Sequence, residues 1–251
     1  MIDTALAERT LAEALSAGGE FAEVFAEDRR STSASLDDGR IEELGSGRDR
    51  GAGIRVVVGD TTGFAHTSDL SEAGLLVAAR AASAVAREGG GGTRSVALGR
   101  LQEHRTRADQ PPESVSKATK VALLQRADEA ARSAGSAVVQ VSAGYADMRR
   151  RILVANSDGL LATDDQVRTR LMVSAVAKGD AGLQTGYEVV AHTAGLEEID
   201  TDGRVERAAR EAARRALVKL GARPAPSGVF PVVLKGGSGG VLFHEACGHG
   251  L

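Results

Sequence analysis

The feature that most constrains this chain is an alternation met twice. A helix-like stretch is followed by hairpin-prone strands and then by a second helix-like stretch. Residues 3–17 (DTALAERTLAEALSA) place Leu6, Leu11 and Leu15 roughly on one helix face, and Gly18-Gly19 ends the run. Phe21, Val24 and Phe25 then open a strand, and Asp38-Gly39 is a hairpin turn signal. GIRVVVGDTTGFAHT reads as two short strands around Gly59-Asp60. Four antiparallel strands is the simple reading of residues 20–65. Residues 69–88 are helical in pattern, with Asp69 or Ser71 as the cap.

The second round follows a break at GGGGT (89–93) and a stretch, 94–112, that reads as irregular connection with Pro111-Pro112. Residues 113–134 form an Ala-rich helix pattern. Residues 137–192 return to strands, broken at Asn156-Ser157-Asp158-Gly159 and at Lys178-Gly179-Asp180, and 203–220 is a third Ala/Arg-rich helix. Strands joined as hairpins between helices favour α+β over a parallel α/β sheet. The residues of the two rounds do not align well, so the repeat is one of pattern. The expected organisation is an N-terminal α+β unit (1–92), a linker (93–113), a second α+β unit (114–222) and a different segment (223–251). In that segment PVVL reads as a strand, GGSGG as a turn and VLFHEACGH as the start of a buried helix. The chain stops at Leu251 in the middle of an element. The expected fold is thus two helix plus antiparallel-sheet units followed by the truncated start of a catalytic domain.

Composition narrows the function classes. Lys+Arg is 31 against Asp+Glu 34, a net charge of −3, so no electrostatic footprint for nucleic acid or an anionic membrane is present. Five Phe, two Tyr and no Trp argue against base-stacking platforms. One Cys excludes an internal disulfide and fits a reducing compartment. No apolar run reaches the ~18–20 residues of a spanning helix, and the N-terminus lacks a basic region followed by an apolar one. These features read as a cytoplasmic protein.

The chemistry-bearing motif is His244-Glu245-Ala246-Cys247-Gly248-His249, an HExxxH. Two imidazoles on adjoining turns can bind Zn²⁺, and a Glu beside the first can act as general base on a water held by the metal. In HExxH the histidines lie about 40° apart around a helix, whereas the i, i+5 spacing here puts them about 140° apart. For both to reach one metal at about 2.0–2.1 Å, the helix must widen locally. The spacing therefore predicts a π-type turn over 244–249, eased by Gly248.

KGGSGGVLFHEACGHGL resembles the signature of the TldD/PmbA family of metallopeptidases, in whose TldD-type subunits a Gly-rich turn leads into HEAxGHGLE. Phe21-Ala22-Glu23-Val24, Asp38-Gly39-Arg40-Ile41-Glu42 and Arg50-Gly51-Ala52-Gly53-Ile54-Arg55-Val56 resemble the family's first domain. Ala155-Asn156-Ser157-Asp158-Gly159 resembles its second, and residues 228–234 (GVFPVVL) resemble the start of its third. The resemblance implies that His244 and His249 are zinc ligands and that Glu245 is general base and acid. It further implies hydrolysis of small or unfolded peptides that enter extended, and pairing with a PmbA/TldE-like subunit in a heterodimer. The family's third ligand is a downstream Cys beyond this chain, so the 251 residues alone are expected to be a poor enzyme. The alternative reading is a catalytically inert assembly or regulatory subunit.

Other residues carry weaker signals. Cys247 reads as a small buried hydrophobe rather than a ligand or nucleophile. In Gly236-Gly237-Ser238-Gly239-Gly240 the ordinary reading is a turn, and the sharper one is close approach of substrate backbone at Gly239 and Gly240; the P-loop ending is absent. His66, His104 and His192 read as isolated, the Arg clusters at 149–151 and 214–215 as solvated faces, and Asp158, Asp164 and Asp165 as turn residues.

Overall fold

The structure, a computed structural model, describes residues 1–86, 96–180 and 182–250. The 89–93 break lies outside the described residues. Helix α1 (Thr4–Leu15) starts where the Asp3 carboxylate accepts the Leu6 N–H at 2.7 Å, and it buries Leu11 and Leu15. Strands β1 (Phe21–Asp37), β2 (Arg40–Val58) and β3 (Thr61–Thr67) follow. The turn at Asp38-Gly39 has positive φ at both residues, 46° and 79°, as a two-residue hairpin of the favoured twist requires. There are three strands here, not four. Gly45, Gly47 and Gly51 look like a break in the sequence, yet they stay extended because β1 supplies Ser33, Ser31 and Glu27 opposite them. Ser71, not Asp69, caps α2 (Glu72–Val85); its Oγ accepts the Gly74 N–H, while Asp69 holds the Ser71 N–H.

A second correction falls on 94–112, where strand β4 (Gly99–Arg105) pairs in parallel with a later strand. Its register partners lie some sixty residues away, so nothing local announces it. Then come α3 (Lys117–Arg132), β5 (Val138–Asn156), β6 (Leu160–Gly179), β7 (Gly182–His192) and α4 (Arg204–Leu220). The turn after β5 is held by the Asn156 side-chain oxygen, which accepts the Asp158 and Leu160 N–H groups, with Gly159 at φ 95°.

The seven strands form one sheet, ordered β3-β2-β1-β5-β6, with β6 bordered by β4 along its first part and by β7 along the rest. The α+β fold is therefore built as two helix-strand halves joined at β1 and β5, antiparallel from Glu23↔Asn156 to Asp37↔Ser142. The buried apolar residues of β1 are Ala22, Val24, Ala26, Ala34 and Leu36, all on one face. The first three pack with α1 and α2, the last two with α3 and α4. The four helices α1–α4 of this part of the chain therefore cover one face, and among the described residues of Met1–Leu220 no α-helix covers the other. Met1–Leu220 is one compact unit and Gly221–Leu251 another.

The halves repeat a packing device. A Cβ on Gly63 of β3 would lie 1.9 Å from the Ala82 carbonyl oxygen and 2.8 Å from the Ala86 nitrogen of the α2 end. On Gly186 of β7 it would lie 2.2 Å from the Ala212 oxygen and 2.5 Å from the Ala216 nitrogen of α4. Each glycine lets a helix backbone touch the outer strand, and each sits in Thr-Gly-aromatic: Thr62-Gly63-Phe64 and Thr185-Gly186-Tyr187.

Asp28, buried on β1, receives both the Nε and Nη2 hydrogens of Arg48 at 2.9 and 2.7 Å. Those bonds hold its carboxyl below the usual Asp range. A depressed folded-state pKa adds stability above the unfolded value and loses it as pH falls through the folded one. Urea midpoints measured from pH 5 downwards are expected to fall below the ordinary Asp range, and less steeply in Asp28→Asn. An unchanged slope would show that the pair contributes nothing.

Candidate metal centre

In the second unit, Gly237 at φ 86° turns the chain into α5 (Ser238–Phe243). The 231–234 stretch forms no strand, because a strand needs a partner and residues 221–250 contain no sheet. Directly after α5 the helix widens into a π turn, His244–Gly248. Its defining bond runs from the His249 N–H to the His244 carbonyl oxygen, 3.1 Å. The added residue in the ring undoes the angular mismatch of an i, i+5 pair. The two imidazoles meet edge to face, centroids 4.5 Å apart at 74°.

One ligand atom from each of His244, Glu245 and His249 lies within 4.8 Å of the others, and all three residues are exposed. Imidazole nitrogens are donors that a divalent metal such as zinc takes, and the Glu245 carboxylate stands beside the two of them. Among the described residues no other three His, Cys, Asp or Glu side chains form such a group. Cys247 is not part of it, and its thiol is exposed rather than buried, because nothing in the short unit covers this turn. Gly239 and Gly240 lie in the first turn of α5. A Cβ on Gly239 would make only ordinary contact with Leu234, and one on Gly240 would meet nothing within 4 Å.

Family models described as PmbA/TldA metallopeptidase domain 1 and central domain match residues 22–86 and 110–220. The chain belongs to the PmbA/TldD metallopeptidase family. A Haemophilus influenzae protein named metalloprotease TldD homolog is 35% identical over 92% of this chain and 49% of its own length. The chain thus spans about half the length of such relatives. A Thermotoga maritima structure, described as a candidate modulator of a DNA gyrase, shares the fold at TM-score 0.72 and 22% identity, covering 89% of this chain and 50% of that one. TldE from Thermococcus kodakarensis matches at TM-score 0.56 and 18% identity over 77% of this chain and 44% of its own.

Elsewhere the structure pairs residues that read as isolated. Asp164 and Asp165 lie in β6, not in a turn. His104 Nδ1 meets Asp164 at 2.9 Å, and Asp165 takes a two-point contact from Arg149, which also pairs with Glu113. His192 Nε2 lies 2.7 Å from Arg204. Arg149 is therefore largely buried in ion pairs, and Arg214 and Arg215 both bind Glu211.

The largest omission from the sequence reading is Lys120. Its ammonium is buried on α3 and reaches the buried Asp147 carboxylate at 2.6 Å. Thr32 accepts from Lys120 and donates to Asp147, both at 2.6 Å, and the Tyr145 hydroxyl donates to Asp147 at 2.9 Å. Burial, then the neighbouring carboxylate, pushes the Tyr145 pKa up. The available signal was a lysine on the apolar stripe Leu123, Leu124, Ala127, Ala131.

Proposed function

We propose that the full-length protein is a zinc-dependent peptidase acting on small or unfolded peptides, with His244 and His249 as two of its zinc ligands. What supports this most is the π turn, in which one ring nitrogen of each imidazole and a Glu245 carboxylate oxygen lie within 4.8 Å of one another. The third ligand is assigned to the part of the protein beyond residue 251. Zinc there would polarise the scissile carbonyl and acidify a water. Glu245 would take a proton from the attacking water and return it to the leaving amine. Gly239 and Gly240, bare at the start of α5, let substrate backbone come close. The working unit pairs with a PmbA/TldE-like subunit in the cytoplasm.

The test uses the full-length protein. Glu245→Gln is expected to keep one zinc per site and lose peptide hydrolysis by at least about a hundredfold. His244→Ala is expected to lose the zinc itself, read by metal analysis after dialysis. Activity that survives both chelation and Glu245→Gln would sink the reading. Binding of the partner subunit with no hydrolysis at all would favour the inert assembly module.

A further inference from the structure

The two halves of the sheet are covered differently at matching edges. β4 lies along β6 just after the β5–β6 turn, parallel, from Gly99↔Leu160 to Arg105↔Asp165. The corresponding edge of β2 begins just after the Asp38-Gly39 turn, but β3 pairs only with residues 52–58. Among the described residues no strand pairs with the outer edge of residues 40–51. An uncovered edge of this length is a template for strand addition.

Two cavities flank that edge on opposite faces. A trough of about 690 Å³ lies on the helix-free face, walled near β2 by Ser31, Ser33, Gly45 and Gly47. A second cavity, about 530 Å³, takes Thr32, Ser46 and Arg48 from the other face, together with Pro112 and Glu113. An added strand sends alternate side chains to opposite faces, so one series meets each cavity. Glu42 and Glu43, exposed near the turn, make no ion pair among the described residues.

We propose that residues 40–51 of β2 dock an extended peptide by strand addition, parallel to β2 as β4 is to β6. The N-terminal part of the peptide is basic, facing Glu42 and Glu43, and a large apolar side chain fills the trough. Small residues at Gly45 and Gly47 keep that trough open. The peptide is of the class that the peptidase reading takes as substrate, and the purpose of docking rests on that reading; the contact itself needs neither metal nor Glu245.

The experiment uses the 251-residue chain carrying Glu245→Gln, with chelator. The probe is a fluorescein-labelled unstructured peptide of about ten residues, two lysines followed by alternating Phe and Thr. Binding read by anisotropy is expected to come with slowed amide exchange in residues 40–51. Gly47→Leu, whose Cβ would sit 3.4 Å from Ser31 Oγ in ordinary contact, is expected to weaken binding at least about tenfold without lowering the melting temperature. N-methylating alternate peptide amides distinguishes backbone pairing from side-chain adhesion: one set of positions abolishes binding and the other does not. Equal effects of the two sets would overturn the proposal, as would absence of binding or protection elsewhere alone. Protection of 40–51 without peptide that tracks a dimeric mass would mean that a second copy takes the edge, and would overturn it too. Intact docking by a full-length protein that hydrolyses nothing would sink the peptidase reading and leave this contact standing.

Discussion

Replacing Gly63 by alanine is expected to cost about 3 kcal/mol or more, at the upper end of overpacking, and Gly186→Ala a similar amount. The added methyl would lie 1.9 Å from a carbonyl oxygen in the first case and 2.2 Å in the second. The obstacle is helix backbone, which cannot rotate aside as a side chain would. The helix has to lift from the outer strand, taking with it the contacts of Ala82 and Ala86, or of Ala212 and Ala216, all fully buried. Gly144 of β5 is the control. A Cβ there meets nothing within 4 Å, so Gly144→Ala is expected to stay within about 0.5 kcal/mol of the parent. Chemical denaturation of the three variants decides it. Equal midpoints for Gly63→Ala and Gly144→Ala would show that the helices do not sit this close.

The second large effect is expected at Lys120. Lys120→Met removes the cation and leaves the Asp147 carboxylate buried, with hydrogen bonds from Tyr145 and Thr32 but no counter-charge. Breaking a buried pair on one side costs about 3–5 kcal/mol. Adding Asp147→Leu should recover much of that loss, because the uncompensated charge goes with it. The pair joins α3 to the central strands, so the loss falls on cooperative unfolding of Met1–Leu220. A double variant no more stable than Lys120→Met would show that the cost is lost packing of the lysine stem rather than stranded charge.

Much of the local structure was legible because it obeys local rules. Ser71 caps a helix, Asp38-Gly39 turns a hairpin, and the i, i+5 histidines sit on a wider helical turn. Each depends on residues no more than five apart, and each is where spacing puts it. The misreadings have one origin. Gly45, Gly47 and Gly51 signal a break only until β1 is laid beside them, and β4 has no signal until β6 is there to pair with it. The ion pairs of His104, Asp165 and Arg149 likewise join positions distant in sequence.

The same division holds for the candidate site residues. Sequence alone determined that His244, Glu245 and His249 stand at the spacing of a metal-type motif and that both imidazoles can face one ion only if the turn is wider than a regular α-helix, since helical geometry fixes the angle between positions five apart. It also determined the α+β class, from hairpin strands between Ala-rich helices. Only the tertiary structure decided that the two halves share one sheet, that Gly63 and Gly186 are equivalent, that Lys120 is buried against Asp147, and that among the described residues no strand pairs with one edge of β2 over residues 40–51. Each of those rests on residues brought together across the sheet, where burial and backbone pairing depend on the partner strand and not on the chain's own pattern.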